Sequence, residues 1–440
     1  MIFFQRWPAT FGKSKSLATA LARMVAVASM LFIMALGARR FSGEEFGFWV
    51  ICVAGINFGM VMDFGFRYGL GNRIAALSAN AGSDEVQRET YWSIFYLETL
   101  IGGVGFVLCL SVLPWFDWIG LFKIQSVSLA STIHWLFPLV CAVVMLNQPL
   151  TIASTVFFAR QDIMFASFLS VMQACILTLG FWLAMKSGNL ILVVLSYLAL
   201  YSLCGLGVTL ILVQRCGLKW LLIPWRRQKD IIQSFWKPSR DFFVLSLVAA
   251  ISGVMGPVIA GAVGGLSAGG NFSLIQRIFS LLVTMHLAVL SPLSPAYTYH
   301  ARLGDWNWIV SKLRRCSKLY WPLFFLVGGL VIWIGHPLIL RVWTGKWMCD
   351  YVLAGLLAIW GILCGWGNTY SVLLNSLGVV RIQAVLAIIM LIPAVGLPIL
   401  AGRLLGVYGV ALASVICAVP GAVLCVVWVR VALKRRCLYV

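Results

Sequence analysis

The sequence predicts an all-α polytopic membrane protein, with about 12 transmembrane helices arranged as two bundles of about six helices each. Hydrophobic residues make up 62% of the chain, charged residues make up 10%, and the mean hydropathy is +0.98. Soluble domains are typically about 45–50% apolar and about 25% charged, so that class is excluded. A strongly basic segment, 214–240, falls near the middle and separates two apolar halves of similar length.

Each predicted span is an apolar run of about 20 residues, the length of helix that crosses a bilayer. The first run, 17–36, is long for the apolar core of a signal peptide and is expected to remain as an uncleaved helix. The predicted spans are 17–36, 46–66, 91–113, 132–158, 163–185, 190–213, 242–262, 271–295, 319–335, 351–376, 382–402 and 407–429.

The basic residues predict the orientation of the chain, because Lys and Arg resist translocation and stay on the cytoplasmic side. With both termini cytoplasmic, 24 of the 33 basic residues fall on the cytoplasmic side, 7 on the opposite side and 2 inside spans. This asymmetry predicts an even number of spans with both ends in the cytoplasm. The net charge of +20 is therefore an orientation signal, and no nucleic-acid partner is expected.

The two halves share weak sequence similarities in the same order, which predicts two parallel bundles related by an axis along the membrane normal. The segments 81–92 and 302–321 both read Gly, Asp, a polar stretch and then Tyr-Trp. We therefore divide the chain into an N-terminal six-helix bundle, a basic cytoplasmic linker and a C-terminal six-helix bundle. Their bounds are 1–213, 214–240 and 241–440.

Ionisable residues inside membrane spans are expensive to bury and are therefore candidates for function. Arg23 and Arg277 lie within the first and eighth spans, and suit an anionic ligand that crosses a central cavity. Ser273, Arg277 and Ser280 share one face of a helix and predict a polar stripe lining that cavity.

Two acidic residues complete the candidate site, and each has a structural alternative. Glu98 lies at a depth similar to that of Arg23, so the two side chains form either a structural pair or part of an ion-coupling site. Asp63 and Arg67 are spaced i, i+4, which favours a local helix pair. Either candidate arginine could instead snorkel its guanidinium to the lipid headgroups.

Other features of the spans are predicted to be structural. His134 and His286 are interpreted as packing residues, and the 12 scattered cysteines show no metal-ligand spacing, so no metal and no cofactor are expected. Prolines and polar amides are predicted to break several spans, as at Pro138 and 147–149 in the fourth. Pro257 in the seventh span and Pro393 in the eleventh are predicted to do the same.

Four motifs resemble those of bacterial polysaccharide-repeat flippases. They are DFGFRYGLGNRIA (63–75), RVWTGKW (341–347), NSLGVVR (375–381) and GVYGVALAS (406–414). The family moves undecaprenyl-diphosphate-linked oligosaccharides across the inner membrane, as in O-antigen assembly for lipopolysaccharide. It belongs to the multidrug/oligosaccharidyl-lipid/polysaccharide exporter superfamily. The resemblance implies a MATE-like pair of six-helix bundles around a cationic cavity, with cavity arginines at positions that match Arg23 and Arg277.

The resemblance also implies the partners of the chain. These are the lipid-linked glycan, the lipid bilayer, Na⁺ or H⁺ as a coupling ion, and the polysaccharide polymerase with its chain-length machinery; we expect a monomer. An anionic diphosphate favours arginine, whereas a cationic drug favours a buried carboxylate. The interior therefore favours the glycolipid, while a MATE-type ion-coupled exporter stays open as the alternative. A membrane glycosyltransferase or polymerase is disfavoured by the short outer loops, and no enzymatic activity is expected.

Overall fold

The computed structural model is all-α, with 91% of its residues in helices. It describes residues 9–59, 62–78, 84–160, 162–290, 293–345, 349–379 and 381–437. The chain divides into two compact units, which are described separately. The first contains Met1–Phe41, Cys52–Ile119 and Gln125–Leu247, and the second contains Ser42–Ile51, Gly120–Ile124 and Val248–Val440.

Most of the described helices coincide with the predicted apolar runs. From the N-terminus the helices are α1 (Ala9–Arg40), α2 (Gly43–Gly59), α3 (Phe66–Ser78), α4 (Asp84–Val112), α5 (Trp118–Phe122), α6 (Val127–Leu146), α7 (Gln148–Ala159), α8 (Ile163–Ala184), α9 (Leu190–Arg215) and α10 (Trp225–Gly264). They continue as α11 (Leu266–Leu290), α12 (Leu293–Arg302), α13 (Trp306–Arg315), α14 (Gly328–Thr344), α15 (Tyr351–Ser376) and α16 (Arg381–Cys437), with two π-helical turns, Cys316–Tyr320 and Pro322–Val327, between α13 and α14.

Every predicted span overlaps one of these helices, which confirms the predicted fold class. Among the described residues, eight helical segments are long and apolar enough to cross a membrane. The longest, Arg381–Lys434, contains the last two predicted spans, and the backbone leaves helical geometry between them at Gly406, with φ 62° and ψ −145°. The number of crossings, about 12, remains a prediction.

The central basic segment is more ordered than a loop. Only Cys216–Pro224 lies outside a helix, because α10 begins at Trp225 and continues for 40 residues. The non-helical part is attached to α4, where the Trp92 indole donates to the carbonyl of Lys219 at 3.0 Å and the Tyr96 hydroxyl donates to that of Leu221 at 2.8 Å. These contacts join segments more than 120 residues apart, so local polarity did not reveal them.

Proline has less effect on the helices than the sequence predicted. Pro138, Pro257 and Pro393 all lie inside continuous helices, so the prediction that each breaks its span is wrong. Neighbouring helices in a bundle can compensate for the one backbone hydrogen bond that a proline removes. The fourth span does break at Asn147, where α6 ends and α7 begins with Pro149 in its first turn.

Each unit has its own aromatic core. In the first unit, Tyr91 and Trp92 of α4 pack with Phe66 of α3 and Phe157 of α7. In the second, Tyr297 of α12 and Ile309 and Leu313 of α13 pack against Tyr370 of α15. The two aspartates matched in the internal repeat both mark helix starts, since α4 begins at Asp84 and Asp305 caps α13 by accepting from the Trp308 amide at 3.1 Å.

Candidate functional site

A tight turn between α2 and α3 places the first candidate residue, Asp63, inside the first unit. Phe64 and Gly65 both have positive φ, at 49° and 76°, and a side chain at Gly65 would collide with the carbonyl oxygen of Ser239. Glycine is therefore required at the second position of the turn. The turn buries Asp63 to 7% exposure, and its Oδ1 accepts a hydrogen bond from the Gly65 amide at 3.0 Å.

Arg67 connects this turn to the next helix of the unit. Its Nε lies 3.4 Å from Asp63 Oδ2, so the predicted pair is present, although Asp63 lies in the turn rather than on the helix. Arg67 Nη2 donates to Thr151 Oγ1 of α7 at 2.7 Å. The positive charge is thereby held between a carboxylate and a hydroxyl inside the helix bundle.

Glu98 is the most deeply buried acidic residue among those described. It is 0% exposed on α4, and neither carboxylate oxygen has a hydrogen-bond partner. It lies within electrostatic range of Asp63 and Arg67. An ionised carboxylate without hydrogen-bond donors is very unfavourable in such a place, so Glu98 fits a group that holds a proton or a small cation.

The break at Asn147 turns polar groups of the fourth span into the bundle. The Asn147 amide donates to Val143 O at 2.7 Å and to Ser202 Oγ of α9 at 2.8 Å. The neighbouring Gln148 is 1% exposed, donates to the carbonyl of Gly59, and leaves its Oε1 without a partner. We call Asp63 and Glu98, together with Arg67, the acidic cluster.

The same helices enclose a polar cavity of about 120 Å³ within the first unit. Four helices, α3, α7, α8 and α9, contribute side chains to its wall, together with the residue at the α6–α7 break. We call it the N-terminal cavity. Its lining residues are Arg67, Asn147, Leu150, Thr151, Ser154, Gln173, Tyr201, Gly205 and Val208.

In the second unit, Arg277 lies on α11, which packs against α14 and α15. Arg277 and Ser280 are partly buried, whereas Ser273 is buried to 2% exposure. Ser280 Oγ donates to the Gln276 carbonyl at 2.7 Å, so its donor is used within the helix. The three residues share one helix face as predicted, but Ser273 is covered by neighbouring residues rather than presented to a cavity.

The remaining candidate residues that we consider are Arg23 and His286. Arg23 lies in α1, but its side chain is outside the part of the chain that the structure describes, so its pairing with Glu98 stays a prediction. His286 is 4% exposed and its Nε2 lies 2.9 Å from Thr369 Oγ1, which confirms its interpretation as a packing residue.

Some residues of the site were missed at the sequence level. The sequence interpretation treated Gln148 only as a helix breaker and did not single out Gln173 or Tyr201. A lone amide in the apolar run 163–185 was the available signal, because buried polar side chains need partners. Which helix would supply those partners depends on packing between segments that are distant in the sequence.

The comparisons with known proteins concern the fold. The sequence matches no family model and no curated protein. A solved MATE in complex with MaL6 superposes with a TM-score of 0.65 at 14% identity, covering 96% of this chain and 97% of that one. An outward-facing multidrug resistance MATE family transporter of the MOP superfamily gives a TM-score of 0.64 at 15% identity, with 96% of each chain covered.

A third solved structure, a MOP superfamily transporter from Pyrococcus furiosus, gives a TM-score of 0.65 at 14% identity and covers 96% of each chain. The chain therefore has the fold of a polytopic helical membrane transporter. More narrowly, the fold is that of MATE transporters of the MOP superfamily. At these identities the likeness defines the fold and leaves the cargo to be argued from the residues of this chain.

Proposed function

We propose that the protein is a flippase that moves undecaprenyl-diphosphate-linked oligosaccharide repeat units across the inner membrane by alternating access. The cargo would serve O-antigen or other surface polysaccharide assembly, and the diphosphate would bind the cationic side chains Arg277 and Arg23. The fold of membrane transporters supports the general activity. The arginines within the predicted membrane spans support the choice of an anionic cargo.

One observation carries the choice: within its predicted membrane spans, the second half of the chain has one arginine, Arg277, and no acidic residue. After Asp241 the sequence has only two acidic residues, Asp305 and Asp350. Both cap helix ends, because Asp305 accepts from the Trp308 amide and Asp350 accepts from the Leu353 amide at 2.9 Å. A guanidinium in this setting attracts a diphosphate and repels a cationic drug.

The acidic cluster favours a second candidate, a MATE-type ion-coupled exporter of small molecules. Glu98 and Asp63 supply carboxylates, which cationic cargo or a coupling cation would need. The Pyrococcus furiosus transporter is described as having a binding pocket of reverse polarity that suggests a different function. Transporters with this fold therefore differ in the polarity of their binding pockets. For this chain we assign Glu98 and Asp63 to Na⁺ or H⁺ coupling rather than to cargo binding.

The orientation that we propose has both termini in the cytoplasm, on the basis of the 24 to 7 charge asymmetry. A phosphatase reporter fused after Arg240 or at the C-terminus should be inactive, while a cytoplasmic reporter at either position should be active. An active phosphatase fusion at either position would contradict this topology.

Depletion of the protein in its host tests the proposed cargo. The lipid-linked repeat unit should accumulate on the cytoplasmic face of the membrane, and surface glycan should decline while synthesis of the repeat unit continues. The control is the depleted strain with the wild-type chain supplied from a plasmid. A depleted strain that keeps normal surface glycan and normal lipid-linked intermediates would exclude this role.

A further inference from the structure

The N-terminal cavity presents more hydrogen-bonding groups than the protein itself uses. Among the described residues, the Gln173 amide and the Tyr201 hydroxyl line the cavity without any hydrogen bond to the chain. Asn147 uses its amide N–H groups on Val143 and Ser202, so its carbonyl oxygen remains as an acceptor. The cavity thus offers donors and acceptors from three helical segments to whatever fills it.

The charge of the cavity distinguishes phosphate from neutral ligands. Arg67 is the one charged residue in the described lining, and its guanidinium already contacts the Asp63 carboxylate and the Thr151 hydroxyl. The pair carries no net charge when Asp63 is ionised, so little attraction is left for a phosphate. Neutral groups that both donate and accept hydrogen bonds fit this lining better, and hydroxyl groups are of that kind.

The size of the cavity limits the ligand. Its volume of about 120 Å³ is well below the roughly 300–1,000 Å³ of pockets that hold drug-sized ligands. A group of one ring, partly enclosed, matches this volume better than an oligosaccharide. About four water molecules at about 30 Å³ each would also fill it, and they are the alternative occupant. Tyr201 adds an apolar ring face beside its hydroxyl, which suits a sugar ring that has both apolar and polar edges.

We propose that the N-terminal cavity is a saccharide subsite, in which Gln173, Tyr201 and Asn147 hydrogen-bond the hydroxyl groups of one sugar residue of the cargo. The proposal rests on the proposed flippase function and adds a site for the glycan that is separate from the arginines assigned to the diphosphate. In this proposal two sets of residues recognise the cargo. Positively charged side chains bind the lipid diphosphate, and neutral polar side chains bind the sugar.

Binding of two lipids to the purified full chain in lipid nanodiscs tests this division. The probes are the undecaprenyl-diphosphate-linked oligosaccharide extracted from the host and undecaprenyl diphosphate without sugar. Gln173→Ala and Tyr201→Phe should each weaken binding of the glycan-bearing lipid by about threefold to tenfold, the effect of losing one or two hydrogen bonds, and leave the bare lipid unchanged. Gln233→Ala, at an exposed position on α10, is the matched control and should change neither affinity.

The outcomes separate the subsite from the function on which it rests. If wild-type protein binds both lipids but the cavity variants change neither affinity, or change both equally, the cavity holds only water or has a structural role, and the subsite proposal is overturned. If wild-type protein binds neither lipid, the proposed function fails and the subsite fails with it. The thermal unfolding temperature of each variant should match that of the wild type, because neither side chain forms a hydrogen bond with another described residue.

Discussion

Replacing Arg277 with alanine should abolish surface glycan while the protein still accumulates in the membrane. The residue lies on α11 among apolar neighbours, with Ile278 and Phe279 each 1% exposed. If its guanidinium holds the diphosphate, the substitution removes a charge-assisted contact in a poorly hydrated setting, which costs about 2–5 kcal/mol. A loss of that size corresponds to a decrease in affinity of about thirtyfold or more.

Arg277→Lys separates charge from geometry. Lysine keeps the positive charge but not the planar fork of donors that matches a diphosphate, so part of the activity should remain. Arg403→Ala is the matched control, because Arg403 is exposed and lies between the eleventh and twelfth predicted spans. Surface glycan measured by gel staining, with protein levels from an epitope tag, checks both variants. Normal glycan export by Arg277→Ala would show that this side chain snorkels to the headgroups instead.

Replacing Glu98 with glutamine should impair transport and weaken its dependence on pH or sodium. Glutamine has almost the same shape, so the variant tests the ability to hold a proton or cation rather than the packing. Coupling free energies between sites are commonly about 1–3 kcal/mol, which predicts a loss of about fivefold to 150-fold. Transport should be measured over a range of pH at fixed sodium and over a range of sodium at fixed pH.

Glu98→Leu provides an independent test of the same residue. Both carboxylate oxygens lack hydrogen-bond partners, so an apolar replacement removes an unsatisfied polar group and should leave stability unchanged or raised, while transport is lost. Glu85→Gln on the same helix is exposed and should have no effect on transport. A Glu98→Leu protein that unfolds at a much lower temperature would point to a structural role for the carboxylate.

The pairing of Glu98 with Arg23 can be tested by a double-mutant cycle. If the two side chains pair, Arg23→Gln combined with Glu98→Gln should do little more harm than either change alone. Additive losses would mean that they act separately. The structure gives Glu98 two other ionisable neighbours, Asp63 and Arg67, so the same cycle with Asp63→Asn identifies which partner matters.

The sequence predicted the helices well because apolar runs of about 20 residues are a strong and local signal. The boundary predicted between the eleventh and twelfth spans, at 402–407, agrees with the structure. It contains Gly406, the one residue of α16 with non-helical backbone angles. The start of α10 was missed because its charged first turns read as a loop. There Ile231 and Ile232 pack against the core of the first unit, a contact that no local pattern reveals.

The site was only partly predictable, since buried charges stand out in an apolar sequence but their partners do not. Asp63 and Arg67 could be paired from their spacing alone. The meeting of Arg67 with Thr151, 84 positions later, and the convergence of Gln173 and Tyr201 on one cavity depend on how helices pack. Periodicity assigns a residue to a helix face but does not identify the helix that covers it.

The central claim is that the cargo is an anionic glycolipid, and a reconstituted transport assay tests it most directly. Proteoliposomes containing the purified chain would receive either the labelled undecaprenyl-diphosphate-linked oligosaccharide or a cationic dye. Movement of the glycolipid between leaflets should require the wild-type protein and be lost in Arg277→Ala, while the dye is not transported. Export of the dye without movement of the glycolipid would contradict the flippase assignment and establish the exporter.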